Sequence, residues 1–375
     1  MPAAPDFKAL ANPAIRTLSA YDPGHDIPSL RRRFADAGGL LELGSNENPF
    51  GPSPLVLTAI HAELAHLHRY PDPAGMALKQ AIASKHGVTE QHILLGNGSH
   101  ELLMQLAQVF VGQNDEVLLS RYCFAVYPIA AKAVGAQLVF ADVFPADHDM
   151  PLGHDLDALV AAITPRTKLI CFANPNNPTG TWFGSRQMID FLTRVPSQVM
   201  VLVDEAYIEY VSDPALSSAL DLGARFPNLI VARTFSKAYG LAGLRVGYLV
   251  AEPSLLALLE PIRESFNVNG LGLVAAQVAL ADAAHLQDVV TRTQQEREWL
   301  AAAMRSMGVQ VLPSQTNFLL AHFGPETPAI ENALFERGVI VRPMAGYGLG
   351  EYLRITLATR SENERLLSSL RAILQ

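Results

Sequence analysis

The segment TFSKAYGLAGLRVGY sets the amine of Lys237 among the hydroxyls of Thr234 and Ser236, with the guanidinium of Arg245 further along the same turn-rich stretch. An activated amine can attack a carbonyl and carry a proton, and a guanidinium beside hydroxyls can hold an oxyanion. A solvated loop lysine fits the same segment, so alone it decides nothing. In VLVDEAY, four positions of mainly apolar type end in Asp204, with Tyr207 three residues on. An acid at a strand's carboxyl end is where open α/β sheets keep their ligands, although a helix cap and a packing tyrosine would read alike. NPNNPTG is a run of turn formers that can aim backbone and side-chain amides into a crevice. In LLGNGSHELL a strand breaks at Gly96 and Gly98 and a helix starts at Ser99, so free amides and the helix dipole can hold a phosphate; a plain strand-to-helix turn is the other reading.

These pieces must be positioned by the elements before them. Short apolar runs at 92–95, 116–119, 137–140, 168–172, 199–203, 229–232 and 246–250 alternate with helical stretches such as 101–111 and 124–134. That alternation predicts an α/β domain built on a seven-stranded, mixed but mostly parallel sheet. After Pro253 the pattern changes to helices at 271–284 and 286–307, then strands near 309–312, 317–321, 339–341 and 352–356 and a closing helix, which predicts a smaller α+β domain. Residues 1–43, with one helical stretch at 27–37, are expected to be an N-terminal arm; 44–255 form the large domain and 256–375 the small one. With this division the four constellations follow strands of one sheet and converge on one crevice.

Composition limits the partners. The formal charge of -8, with no long Lys/Arg run, argues against nucleic acid. Arg31, Arg32 and Arg33, the one tight basic cluster, read as a solvated helix face. No uncharged apolar run reaches membrane-spanning length, and the first residues lack a basic segment followed by an apolar one, so a cytoplasmic location is expected. Cys123 and Cys171 read as buried thiols in a reducing compartment, and His61, His66 and His68 lack the spacing of a helical metal pair, so no metal is assigned.

A phosphate cup, NPNNPTG, DEAY and SK with a downstream arginine, in that order, resemble the fold-type I aminotransferases that use pyridoxal 5′-phosphate (PLP). YDPGHDIPSL, SNENPFGPSP, RYPDPAG, GNGSHEL, NPNNPTG, VDEAYIEY, RTFSKAYGLAGLRVGY and YLRITLAT, spread over nearly the whole chain, resemble the histidinol-phosphate aminotransferase family. The resemblance implies that Lys237 carries the cofactor covalently and then moves the proton at the substrate's α-carbon. It implies that Asp204 pairs with the pyridine nitrogen, that Tyr207 and Asn177 bond the phenolic oxygen, and that Phe124 stacks on the ring, with Tyr122 as the other candidate. Ser99, His100, Thr234, Ser236 and Arg245 then hold the cofactor's phosphate; His100 departs from the acidic or amide residue commoner at its position. Tyr70 matches a tyrosine that reaches the cofactor of the neighbouring subunit, which implies a homodimer with shared active sites, its arm packed on the small domain and the partner.

Arg354 matches the arginine that grips the amino donor's carboxylate. Arg342 and Asn46 are expected to help accept a substrate phosphate, and Tyr21 to close over it. The implied reaction moves an amino group between histidinol phosphate and 2-oxoglutarate, an amino donor and an oxo-acid acceptor, in histidine biosynthesis. An aromatic or broad-range aminotransferase, or a decarboxylase of a phosphorylated amino acid, would use the same scaffold. A scaffold protein that has lost the chemistry would not need the full set of Lys237, Asp204, Tyr207, Asn177 and Arg245.

Overall fold

A computed structural model describes residues 4–20, 24–34 and 39–374. Its strands, in chain order, are β1 (Leu41–Glu42), β2 (Ile93–Asn97), β3 (Glu116–Ser120), β4 (Gln137–Ala141), β5 (Thr167–Ala173), β6 (Met200–Asp204), β7 (Leu229–Thr234), β8 (Val246–Val250), β9 (Gln310–Val311), β10 (Phe318–His322), β11 (Val339–Ile340), β12 (Arg342–Pro343) and β13 (Tyr352–Thr356). β2 to β8 form one sheet in the order β2-β8-β7-β6-β5-β3-β4, in which β8 runs against both its neighbours and the remaining pairs are parallel. This is the expected mixed, mostly parallel sheet of seven strands.

The strands read as nearly continuous apolar runs because helices cover both faces. Alternation still sorts the side chains. Leu169, Cys171, Leu202 and Ile230 pack with Leu102, Leu106 and Val126 from helices Gly98–Phe110 and Val126–Ala133. Ile170, Phe172, Val201 and Val231 pack on the opposite face with Met188, Phe191 and Leu192 of helix Ser185–Arg194. With both faces closed, the strands' carboxyl ends are left to carry polar groups.

A second sheet, β12-β13-β10-β9, is wholly antiparallel, and β1 pairs in parallel with β11. Leu300 and Met304 of helix Ala283–Ser306 and Leu366 and Leu370 of helix Arg360–Leu374 close its core, which also takes in Leu41 and Leu43. Helix Gly270–Ala281, assigned to the smaller unit by position, instead buries Leu273, Ala275 and Ala276 against Phe235, Val246 and Tyr248 of the large sheet. Its sequence GLGLVAAQVALA is apolar all round, and such a helix has to be covered on several sides. In the arm, helix Ile27–Arg33 is shorter than the expected 27–37: Asp26 caps the amide of Ser29, and 35–38 lie outside the described residues. No single described helix is long and apolar enough to cross a membrane.

Candidate active site

The carboxyl ends of β2, β5, β6 and β7, the turn after β3, the segment after β1, and β12 and β13 of the second sheet all border one cavity of about 270 Å³. Lys237, Asp204, Tyr207, Asn177, Ser99, His100, Phe124, Thr234, Ser236, Arg245, Arg342, Arg354 and Asn46 line it.

Asp204 ends β6 and is buried, with Oδ1 accepting from the amide of Ala206 at 3.1 Å and Oδ2 from the hydroxyl of Tyr127 at 2.9 Å. Burial lifts its carboxyl to about 6 against the pull of these two donors. Lys237 follows β7 and is half-buried. Its Nζ donates to the carbonyls of Asn46 at 3.2 Å and Ser45 at 3.4 Å. Burial, seconded by the positive charge of Arg354, brings this amine down to about 8, and Glu47 opposes the shift. One carboxyl raised and one amine lowered border the same cavity, and such opposed shifts cluster at functional sites.

Between them lie two oriented donors. Asn177 Oδ1 accepts from Arg354 Nη1 at 2.7 Å, which leaves the Asn177 amide nitrogen as the donor available to the cavity. The Tyr207 oxygen accepts from Asn46 Nδ2 at 2.9 Å, which fixes the orientation of its O–H. Arg354, on β13, also gives Nη2 to the carbonyl of Gly44 at 2.6 Å and sits 5.3 Å from the ring centre of Phe318.

The anion cup is built at the start of helix Gly98–Phe110, whose first amides have no intrahelical acceptor. Gly98 takes φ 75, and a Cβ there would collide with the Arg245 guanidinium. A Cβ on Gly247 would strike the backbone amide of Ser99, so both glycines admit a close approach no other residue permits. Arg245 donates to Ser236 Oγ at 3.2 Å and to the carbonyl of Ala242 at 3.1 Å, and Thr234 Oγ1 accepts from the amide of Ser236 at 3.1 Å. His100 is half-buried beside this guanidinium; burial and then Arg245 hold its imidazole below the ordinary range and therefore neutral at pH 7.

Phe124 lines the cavity and meets Tyr127 edge-on, the ring centres 5.7 Å apart. Tyr122 is not a lining residue; its carbonyl accepts from Asn176 and its ring packs beside Leu312 and Leu349. Asn46, expected to help hold a substrate phosphate, commits its side chain within the protein. Its Nδ2 goes to Tyr207 and its Oδ1 accepts from Thr356 at 3.3 Å, in a left-handed backbone with φ 55. Tyr70 is also not a lining residue: it is 82% exposed and stacks on Phe266 at 4.4 Å. Tyr21 lies outside the described residues. Tyr127 and Tyr347 were not anticipated. Tyr347 lines the cavity from the turn after β12, and its glycine-flanked sequence MAGYGLG carries no strong signal.

The model of the family "Aminotransferase class I and II" matches residues 39–370. A histidinol-phosphate aminotransferase 2 from Pseudomonas fluorescens is 45% identical over 370 residues, 98% of each chain. A histidinol-phosphate aminotransferase from Anaeromyxobacter is 42% identical over 366 residues, 97% of this chain and 99% of that one. Among solved structures, histidinol-phosphate aminotransferase from Sinorhizobium meliloti in complex with pyridoxal-5′-phosphate superposes with a TM-score of 0.86 at 31% identity, covering 97% of both chains.

Proposed function

The chain belongs to the class I and II aminotransferases, within them to the histidinol-phosphate aminotransferase family, and from that premise we propose that this PLP-dependent enzyme moves the amino group of histidinol phosphate to 2-oxoglutarate, giving imidazole acetol phosphate and glutamate. The observation that carries the reading is the end-to-end identity with relatives bearing that name, in a chain whose cavity has two arginines, Arg342 and Arg354, facing its substrate side. Such a pair suits the two anions that must alternate there, a carboxylate and a phosphate.

The residues fit PLP. Gly98 and Gly247 leave room for the close approach of Arg245 and the Ser99 amide, and Ser99, Arg245, the buried acid Asp204 and the amine of Lys237 all border one cavity. When bound, the cofactor supplies an electron-withdrawing ring in conjugation with the substrate's nitrogen. Ser99, His100, Thr234, Ser236 and Arg245 hold its phosphate. Asp204 keeps a negative charge against the ring nitrogen and so keeps that nitrogen protonated. Asn177 and Tyr207 donate to the phenolic oxygen, each oriented by the partner that occupies its other polar atom. Phe124 would lie against the ring. Lys237 would be its covalent anchor and the base that moves the proton at the substrate's α-carbon.

The enzyme works as a homodimer with shared active sites. The reading is supported by the large apolar side chains Leu55, Leu57, Leu67, Leu258 and Ile262, which, like Tyr70, a lone chain leaves exposed to water. The arm 1–43, large unit 44–255 and small unit 256–375 remain the working division, with helix Gly270–Ala281 packed on the large unit. A cytoplasmic location suits its two free, buried cysteines.

The test is to supply the purified, PLP-loaded chain with histidinol phosphate and 2-oxoglutarate and to measure glutamate, alongside phenylalanine as donor and phosphothreonine with carbon dioxide as readout. Efficient glutamate formation with histidinol phosphate is expected. A clear preference for phenylalanine, or carbon dioxide release from phosphothreonine, would overturn the substrate assignment.

A further inference from the structure

Asp204 is held from behind as well as facing the cavity. Its Oδ2 accepts from the hydroxyl of Tyr127 at 2.9 Å, while Oδ1 is taken by the amide of Ala206. Tyr127 is buried on helix Val126–Ala133 and is not a cavity-lining residue. Its ring sits among Leu103, Val117, Leu169 and Leu202, and a phenol in such surroundings has to place its O–H on an acceptor. Asp204 is that acceptor. The same ring meets Phe124 edge-on at 5.7 Å and 85°. One side chain outside the cavity therefore touches two that border it.

We propose that Tyr127 is a positioning residue which fixes the carboxylate of Asp204 through its hydroxyl and the aromatic face of Phe124 through its ring. The proposal rests on the roles given above to Asp204 and Phe124. A carboxylate at a strand end can rotate about its last bond, and two donors on two different oxygens remove that freedom. A hydroxyl donated to an acid also favours the ionised form, the form that can pair with a protonated ring nitrogen. Burial, then the charge of Asp204, keeps the Tyr127 phenol far above its ordinary range, so it remains a donor throughout the working pH.

The other groups acting on Asp204 are Glu205 beside it, which opposes ionisation, Lys237, which favours it, and the thiol of Cys171. Glu205 is paired with Arg233 at 2.8 Å, and Arg233 also holds Glu209 at 2.9 Å. With Glu205 so paired, Tyr127 is the side-chain donor that settles how Asp204 presents itself.

Tyr127→Phe keeps the ring and removes only the hydroxyl. The expected result in the apo chain is a PLP dissociation constant, read by fluorescence titration, weakened about fivefold near pH 6 and much less near pH 8, because a buried acid that loses one donor titrates about one unit higher. In the holoenzyme the acid limb of kcat should move up by about one pH unit, with kcat down about tenfold and KM for the amino donor within about twofold. Tyr127→Leu, which removes the ring as well, should add a loss of PLP affinity that persists at the higher pH. If Tyr127→Phe leaves the PLP affinity and the acid limb unmoved while Asp204→Asn abolishes turnover, the inference is overturned and the reading of Asp204 stands. If Asp204→Asn is itself fully active, it is the reading of the site that fails.

Discussion

The guanidinium of Arg354 donates to the side-chain oxygen of Asn177 at 2.7 Å, so a cation carried by the second sheet is bonded to an amide carried by the turn after β5 of the first. On the proposed roles, the group that would meet the substrate's anion and the donor that would meet the cofactor are thereby mechanically joined. The same guanidinium holds the carbonyl of Gly44, so three tasks fall on one planar fork.

Lysine at 354 would keep the charge and lose the fork. Arg354→Lys is expected to raise KM for glutamate and 2-oxoglutarate by about 10- to 100-fold, the range for loss of a bidentate, charge-assisted contact. Because Asn177 would also lose its anchor, kcat should fall by a smaller factor. Steady-state kinetics on both half-reactions measure the split; a change in kcat alone would mean that Arg354 does not meet the substrate's anion.

Asp204 yields a stability prediction with a definite sign. Its carboxyl titrates at about 6 in the fold against 3.8 for an ordinary aspartate, so between those values the folded apo chain holds a proton the unfolded chain has released. Its contribution to stability is therefore present below the lower value and lost as pH rises through the upper one. Asp204→Asn removes the penalty: the apo variant should melt about 2 °C above the parent near pH 7.5, with the difference shrinking towards pH 4, while the PLP-loaded variant loses about 10³-fold in kcat. Thermal melts of both apo chains across that range check the sign.

The amine of Lys237, brought to about 8 by burial and Arg354, should become reactive about two pH units earlier than a solvated lysine. Reductive trapping of PLP on the apo chain, followed by peptide mapping, should rise through about pH 8 at Lys237 and only near pH 10 at exposed lysines. The Arg354→Lys variant keeps its charge and should leave that midpoint in place, whereas Arg354→Gln should move it up.

Gly247→Ala tests the anion cup without removing a polar group. Its Cβ would strike the amide of Ser99 and approach the carbonyl of Arg233 at 3.0 Å, both backbone atoms that cannot swing aside. PLP affinity should fall at least about tenfold, with the remaining activity restored at high PLP concentration. An unchanged dissociation constant would separate the cup from the cofactor.

These relationships differ in how much the sequence reveals of them. Lys237, Asp204, Asn177 and Ser99 announce themselves because each follows a short apolar run, and a sheet covered on both faces leaves only its strand ends for polar work. The bond between Asn177 and Arg354 spans 177 residues and depends on how two sheets close on each other, which no local pattern encodes. Asn46 lines the cavity as the sequence suggests, but its left-handed backbone and its bond to Tyr207 are not legible there, because an asparagine in SNENP looks the same whichever way it points. Tyr127 reads as core in FAVY. The signal that could have found it is its spacing of three from Phe124, one helical turn, together with a hydroxyl that an apolar helix face cannot satisfy. Helix Gly270–Ala281 was placed with the wrong neighbour because sequence order says nothing of which sheet an all-apolar helix will cover.

Tyr70 is the sharpest test of the shared site. It stacks on Phe266, whose own φ is 58, and stands 82% exposed away from the cavity of its own chain, so any role at a cofactor has to be played in a second copy. Tyr70→Ala and Lys237→Ala should each be inactive or nearly so: one through loss of phosphate anchoring across the interface, the other through loss of the amine. Mixed, unfolded and refolded together, the two variants form hybrids in which one site lacks both residues and the other lacks neither. Activity should therefore return to about a quarter of the wild-type level, since about half of randomly paired dimers are hybrids and each has one intact site. Were Tyr70 to serve its own chain's site, each hybrid would carry one fault per site and the mixture would stay inactive. Sedimentation of the refolded mixture shows that dimers have formed, and the recovered rate then distinguishes a site completed across the interface from one contained in a single chain.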